Sequence, residues 1–232
     1  MDRVGLIEAA GRSHALVRER FATPEAAARY PAVYGNSSRD RRERRAILRA
    51  MACVPRGAWV LDLPCGAGRG TRLLLERGYR VTAADSSGPL LALARANYRS
   101  LRARLWVPAA EFALCDVMAT GFSAGQFDAV LCNRLLHHLR EPRARRAALA
   151  ELARISRGPP IVSFFNAFAL DSLGTWLRRA VRGPGPEGRL SRGAISMRTF
   201  AADVRAAGLR IERAIPARWG VSRQWYAVLR RT

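Results

Sequence analysis

The sequence contains no lysine, few cysteines and no long apolar segment. All 40 basic residues among its 232 are arginine, and only 18 acids oppose them, which gives a formal net charge of +22. No run approaches the roughly 18 uncharged apolar residues of a membrane-spanning helix. The first residues also lack the apolar centre of a signal peptide. These absences predict a cytoplasmic protein that is at most peripheral to the inner face of the membrane.

The cysteines and histidines are too few and too scattered to predict a metal site. The four cysteines, Cys53, Cys65, Cys115 and Cys132, show no C-x-x-C spacing, and the chain has three histidines. Three of the cysteines lie on or beside predicted strands, so reduced, buried thiols are expected. We therefore predict no metal.

The excess of arginine indicates an affinity for anions. A positive field of this size attracts phosphorylated glycolipid, an anionic bilayer or nucleic acid. The arginines are spread over residues 39–45, 140–146, 178–192 and 210–231. This dispersion favours solvated helix faces over one binding groove, although an anionic acceptor and peripheral contact with an anionic membrane stay open, with nucleic acid as second choice.

A strand, an acid, a glycine-rich turn and a helix follow one another in residues 60–77. Asp62 ends the strand, and Gly66, Gly68 and Gly70 supply positions where the backbone turns tightly and approaches a ligand. The spacing is G-x-G-x-G, whereas a dinucleotide site opens with G-x-G-x-x-G. Without lysine, a Tyr-x-x-x-Lys proton relay of the short-chain dehydrogenase type cannot form. The motif predicts a nucleoside-cofactor pocket that is not a nicotinamide site.

Two further acids end the next two predicted strands. Asp85 lies 23 residues after Asp62, where a carboxylate can accept hydrogen bonds from both ribose hydroxyls. Asp116 can accept from an adenine amino group, and the backbone N–H of Val117 can reach a ring nitrogen. Each acid alone also suits a turn or a helix cap. Three acids in register favour a cofactor site.

With these motifs, the chain resembles the class I S-adenosylmethionine-dependent methyltransferases over roughly residues 30 to 232. The matching segments are residues 60–68, 83–87, 115–118 and 127–139. The resemblance implies S-adenosylmethionine as cofactor, S-adenosylhomocysteine as product, and Asp62, Gly66 and Gly68 around the methionine part. Ser86, beside Asp85, belongs to the second motif and to the predicted cofactor site.

Three other residues are predicted to contact the cofactor. Pro64 stands where the family usually has its first glycine, and since proline has no N–H, any contact there comes from its carbonyl or its neighbours. Asn133, at the tip of the fourth strand, is a candidate for contacts to cofactor or acceptor. Tyr34, with Tyr30, belongs to an N-terminal segment of the kind that lids the cofactor in related enzymes; packing is the alternative role.

The predicted catalytic residues are His137 and His138, which follow the fourth strand. Methyl transfer needs alignment, with a lone pair about 3 Å from the methyl group. A hydroxyl acceptor also needs a base near its working pH, which suits histidine. His137 is slightly preferred, with His138 capping or packing. A structural role for both is the alternative.

The predicted fold is α/β: a doubly wound, mostly parallel, seven-stranded Rossmann-like sheet with an antiparallel C-terminal strand and N-terminal helices. We divide the chain into a helical lid or extension, 1–53, and a methyltransferase domain, 54–232, with an acceptor-side insertion at 166–198. Ser38 is expected to cap a helix over 39–52. A later helix is expected to end at Gly208.

The predicted function is methyl transfer from S-adenosylmethionine to a small-molecule, lipid-linked or saccharide acceptor, at oxygen. RNA methylation is the first alternative, which the charge favours and the lack of an added RNA-binding module does not. A non-catalytic cofactor-binding partner protein is the second, and the intact acids argue against it.

Overall fold

The computed structural model describes residues 22–29, 37–170 and 193–232, with single positions at 15, 19 and 35. The helices in these ranges are α1 (Pro24–Ala28), α2 (Ser38–Met51), α3 (Arg69–Leu75), α4 (Gly88–Arg102), α5 (Pro142–Ile155) and α6 (Met197–Ala206), with a 3₁₀ turn at Leu136–His138. The strands are β1 (Trp59–Asp62), β2 (Arg80–Asp85), β3 (Ala110–Leu114), β4 (Ala129–Cys132), β5 (Pro160–Phe165), β6 (Leu209–Pro216) and β7 (Gln224–Arg231).

The seven strands form one sheet in the order β3-β2-β1-β4-β5-β7-β6. Strands β1 to β5 pair in parallel, while β7 pairs antiparallel with both β5 and β6. The chain adds β2 and β3 on one side of β1 and then crosses to β4 on the other side, and this switch leaves a crevice at the carboxyl ends of β1 and β4. The predicted doubly wound sheet with an antiparallel C-terminal strand is confirmed.

Helices cover both faces of the sheet, because its central strands are apolar on both sides. Every residue of β4 and β5 is buried, as expected for parallel strands between two helical layers. Helix α2 belongs to one of these layers: Ile47 and Met51 pack in the same cluster as Val60 of β1. Part of the predicted 1–53 extension therefore contributes to the core, and the boundary at residue 54 stays a prediction.

Two helix ends that the sequence predicts can be compared with the structure. Gly208 follows α6 with φ +72°, as its predicted role in ending the helix requires. The predicted cap of α2 is wrong by one position: Ser37 has the extended backbone of a cap, and its side chain accepts a hydrogen bond from Asp40 N, while Ser38 is already helical. Adjacent serines present the same signal, so only the backbone geometry separates them.

Among the residues that the structure describes, none of the helices combines the length and the apolar character needed to cross a membrane. Residues 171–192, which make up most of the predicted insertion, lie outside the described residues, as do Tyr30 and Tyr34.

Candidate active site

A cleft lies at the carboxyl ends of β1, β2 and β4. The predicted site residues that line it are Asp62, Pro64, Gly66, Asp85, Ser86, Asn133 and His138. Three segments far apart in sequence thus meet at one edge of the sheet, as the three strand ends require. The cleft holds about 750 Å³ of space, part of it open to solvent, which suits a small-molecule or cofactor site.

The glycine turn gives the cleft its floor. Gly66 and Gly68 adopt φ +55° and +89°, in the left-handed region that favours glycine. Gly68 is the cap residue of α3 and does not line the cleft. A Cβ on Gly70 would lie 2.9 Å from an Asp62 carboxylate oxygen. The turn therefore needs glycine to bring α3 onto the end of β1.

Asp85 links the glycine turn after β1 to the turn after β2 through hydrogen bonds. Its Oδ2 accepts a hydrogen bond from Gly66 N at 2.8 Å, and its Oδ1 accepts from Ser87 N at 2.9 Å. Burial raises the pKa of Asp85, and backbone N–H donors oppose that rise. The cap of α4 is Ser87, whose hydroxyl accepts from Leu90 N. Each carboxylate oxygen has two lone pairs, so Asp85 retains acceptor capacity toward the cleft.

We expect Asp85→Ala to weaken binding of S-adenosylhomocysteine at least tenfold, since charge-assisted hydrogen bonds contribute about 1.5–3 kcal/mol. Isothermal calorimetry measures the affinity, and thermal unfolding checks that the variant folds. Asp128→Ala is the matched control: Asp128 also accepts a backbone N–H, from Trp59, but precedes β4 at the opposite edge of the sheet. Equal affinities of Asp85→Ala and the parent would refute the ribose role.

Asp62 is buried at the end of β1, and its Oδ2 accepts a hydrogen bond from Thr71 Oγ1 at 2.7 Å. Burial raises the pKa of Asp62 to about 7; the nearby Asp85 adds to this, and the Thr71 hydrogen bonds oppose it. A carboxyl group with this pKa is largely neutral in mildly acidic solution.

This raised pKa predicts a pH-dependent loss of stability. The folded pKa is above the ordinary value of 3.8, so the folded state binds the proton more tightly, and Asp62 destabilises the fold increasingly from about pH 4 to about pH 7. Asp62→Asn should remove this contribution. Urea unfolding at pH 5 and pH 8 should show the variant gaining stability relative to the parent at the higher pH. An identical pH dependence in both proteins would contradict the shift.

Residues 115–118, the third motif, are not among the residues that line the cleft. Asp116 is half-buried after β3, and its Oδ1 accepts a hydrogen bond from Met118 N at 2.9 Å. Val117 is buried in the core. Neither residue is among those that line the cleft, so their predicted adenine contacts stay predictions.

The structure places the two histidines in different surroundings. His137 is 4% exposed, and its ring stacks on Phe165 with a centroid distance of 3.9 Å and an interplanar angle of 9°. His138 is half-buried and lines the cleft. The one-residue offset in the 3₁₀ turn puts one ring into the packing and the other on the cleft wall. Of the two predicted bases, only His138 lines the cleft, whereas the sequence slightly preferred His137; the catalytic role of either stays a prediction.

Asn133 lines the cleft, but other protein groups hold its amide. Its Nδ2 donates to Glu43 Oε1 at 3.2 Å, and its Oδ1 accepts from Tyr226 Oη at 3.0 Å.

The sequence did not predict two arginines that line the cleft, Arg69 and Arg134, or the buried Glu43 that contacts both. The available signals were the position of Arg69 directly after the glycine turn and that of Arg134 directly after Asn133.

Known proteins match both the sequence and the fold. Residues 60–158 match the family model described as a methyltransferase domain. A ubiquinone biosynthesis O-methyltransferase of Xanthomonas axonopodis pv. citri is 36% identical over 124 residues, which cover 52% of this chain and 50% of the relative. The chain thus spans half the length of this relative.

Two solved structures share the fold. Magnesium protoporphyrin IX methyltransferase from Synechocystis PCC 6803, with bound S-adenosylhomocysteine, superposes with a TM-score of 0.66 at 20% identity, over 94% of this chain and 99% of that one. The 1,6-didemethyltoxoflavin-N1-methyltransferase of Burkholderia thailandensis superposes with a TM-score of 0.60 at 28% identity, over 82% and 78%.

Sheet order, motifs and matches together define the class. Residues 60–158 match a methyltransferase domain, and the fold is that of the class I, S-adenosylmethionine-dependent methyltransferases, as the motifs predicted. S-adenosylmethionine is the cofactor of this class. The cleft fits such a cofactor: Gly66, with positive φ, and Gly70 line its floor, and a buried carboxylate with remaining acceptor capacity lies at the end of β2.

Proposed function

We propose that the protein transfers the methyl group of S-adenosylmethionine to a hydroxyl oxygen of a small-molecule acceptor. The observation that carries this proposal is the presence of His138 in the same cleft as Asp62, Gly66 and Asp85. The proposed base and the proposed cofactor-binding residues therefore line the same cleft. The similarity to a ubiquinone biosynthesis O-methyltransferase, an enzyme named for methylation at oxygen, supports the proposal.

We propose one role for each of the predicted cofactor residues. Asp62, Gly66 and the carbonyl of Pro64 receive the methionine part, with Gly68 shaping the turn behind them. Asp85 and Ser86 receive the ribose. Asp116 and Val117, at the end of β3, complete the site on the adenine side, and Tyr34 is proposed to close over the sulfonium.

S-adenosylmethionine, when bound, supplies a methyl group already activated by its positive sulfur. The protein has to align the acceptor and remove one proton. His138 accepts the hydroxyl proton as the acceptor oxygen forms its bond to the methyl carbon. The bound cofactor would supply this methyl group with loss of its carbon–sulfur bond, and S-adenosylhomocysteine would be the second product.

The wider surroundings of the acceptor also belong to the proposal. The net charge of +22 supports an anionic acceptor, either lipid-linked or saccharide, and a cytoplasmic enzyme in peripheral contact with the inner face of an anionic membrane. RNA methylation is the second candidate, because the same charge attracts a phosphate backbone. A non-catalytic partner protein is the third.

Transfer of a labelled methyl group tests these alternatives. The protein is incubated with methyl-tritiated S-adenosylmethionine and with separate extracts of small molecules, envelope lipids and RNA. We expect label in the small-molecule or lipid fraction, in a product that loses its label under conditions that cleave O-methyl groups. Label in RNA would favour the second candidate. Binding of S-adenosylhomocysteine without transfer to any fraction would favour the third.

A further inference from the structure

Large apolar side chains are exposed together at the edge of the sheet where β5 ends. Phe168 is 84% exposed, Leu170 60% and Trp219 76%. The first two follow β5, and Trp219 lies in the turn between β6 and β7. Among the described residues, six large apolar side chains are exposed, and three of them lie here. Single exposed apolar residues are ordinary on a protein surface, whereas a group of them marks a site of association.

A backbone hydrogen bond joins the two segments that carry these side chains. Leu170 N donates to Gly220 O at 3.2 Å. Next to Gly220, the ring of Trp219 packs edge-on against the partly buried Trp225, with a centroid distance of 5.7 Å. The exposed side chains therefore extend from a preformed backbone. We call this surface the aromatic tip and define it by Phe168, Leu170, Arg218 and Trp219.

The aromatic tip lies in positively charged surroundings. Arg218 is exposed, and Arg223 is half-buried in the same turn. Residues 166–170 and 217–223 contain no acid, and the nearest acid along the chain is Asp171, outside the described residues. Aromatic rings beside arginine, on a protein with a net charge of +22, suit the boundary between water and an anionic lipid surface.

The aromatic tip also lies close to the cleft. Strand β5 pairs in parallel with β4, so their carboxyl ends share the edge of the sheet where the cleft lies. Phe165, the last residue of β5, stacks on His137 with a centroid distance of 3.9 Å. The ring centroid of His137 lies 4.2 Å from that of His138 on the cleft wall. Two ring contacts thus connect the proposed base to the strand end from which the tip extends.

We propose that the aromatic tip docks the protein onto an anionic lipid bilayer and brings the cleft close to a lipid-linked acceptor. The inference deepens the proposed function, on whose lipid-linked acceptor it rests. The rings of Phe168 and Trp219 and the side chain of Leu170 enter the boundary between headgroups and acyl chains. Arg218 stays beside the lipid phosphates, with its methylene groups along the apolar surface. An acceptor with an apolar anchor then reaches the cleft without leaving the bilayer.

Co-sedimentation of the full chain with vesicles of equal parts phosphatidylcholine and phosphatidylglycerol tests the aromatic tip. Trp219→Ala should weaken vesicle binding about tenfold, as the loss of one buried large side chain implies. Trp106→Ala is the matched control: Trp106 is 93% exposed, but it precedes β3 at the opposite edge of the sheet. Its removal should change binding by less than about twofold.

Phe168→Ala keeps the test decisive if Trp219→Ala does not fold, and thermal unfolding checks both variants. The side chain of Phe168 is largely exposed, so its removal should leave stability unchanged and weaken vesicle binding in the same direction.

A pair of arginine variants separates docking at the tip from attraction by the overall charge. Arg218→Gln should weaken binding to the anionic vesicles about fivefold, the effect of about 1 kcal/mol per arginine near the surface. Arg104→Gln is the control, because Arg104 is exposed beside Trp106 at the opposite edge. Equal losses in the two variants would show that the net charge alone attracts the lipid, and would overturn the proposal.

Three further results would overturn it: a parent protein that does not bind the anionic vesicles, equal binding by Trp219→Ala and Trp106→Ala, or a parent dimer that Trp219→Ala dissociates. In the last case, which light scattering detects, a second copy of the chain covers the tip. Vesicle binding is measured without cofactor. A protein whose vesicle binding depends on the tip, but which transfers a methyl group to no acceptor, would refute the proposed function and not the docking. The two failures are therefore distinguishable.

Discussion

Replacing His138 with glutamine is expected to lower kcat by about 10²–10⁴-fold, the usual contribution of a positioned general base. The side chain lines the cleft that Asp62 and Asp85 also line, and glutamine keeps polarity and approximate size without accepting a proton. The affinity for S-adenosylhomocysteine should stay within about twofold, because the cofactor residues are untouched. Single-turnover transfer to the identified acceptor measures the rate, and added imidazole should restore part of it.

His137→Gln is the comparison that tests the assignment. His137 stacks on Phe165 in the packed interior, so this variant should lose stability while the folded enzyme retains most of its rate. If the large rate loss instead follows His137→Gln, and His138→Gln is as active as the parent, the base is the residue that the sequence favoured.

The largest effect on stability is expected from Asp203→Ala. Asp203 is 1% exposed on α6; its Oδ2 accepts from Arg145 Nε at 2.7 Å and its Oδ1 from Arg146 Nε at 2.8 Å. Removal of the carboxylate leaves the buried guanidinium of Arg145 without its counter-ion. Breaking such a pair from one side costs about 3–5 kcal/mol. Urea unfolding measures the loss.

Glu212→Ala gives the matched control, because Glu212 makes a 2.8 Å ion pair with Arg230 at partly exposed positions. Exposed pairs of this kind contribute about 0–1 kcal/mol. A loss below about 1 kcal/mol for Asp203→Ala would show that the buried pair is dispensable. Arg145 also donates to the carbonyls of Leu139 and Arg140. The ion pair of Asp203 with Arg145 therefore also stabilises the backbone just after His138.

The alignment of Asp62 and Asp85 was predictable because both end neighbouring parallel strands of one sheet. Parallel strands bring their carboxyl ends to one edge, so the spacing of motifs along the chain becomes proximity in space. The glycine turn was predictable for a similar local reason: Gly66 and Gly68 adopt backbone angles that other residues rarely do. These signals depend on chain direction and backbone freedom, which the sequence carries.

The choice between His137 and His138 was not predictable in the same way. Both follow β4, and both are histidines, so the sequence offers no local difference between them. Which ring enters the packing against Phe165 depends on the 3₁₀ turn and on the neighbouring strand β5. The same holds for Asn133, whose amide is taken up by Glu43 and Tyr226.

The sequence by itself determined the doubly wound sheet, the glycine turn, the strand-end acids and the cofactor, since each follows from the pattern or the motifs of residues along the chain. The strand order came from the tertiary structure. The tertiary structure alone decided the role of Glu43. It lies among arginines in a strongly charged helix, where a solvated salt bridge is the ordinary expectation. Its contact with Arg134 joins positions 91 residues apart. Packing of α2 against the sheet buries that carboxylate beside the cleft, and burial turns a surface charge into a fixed counter-ion.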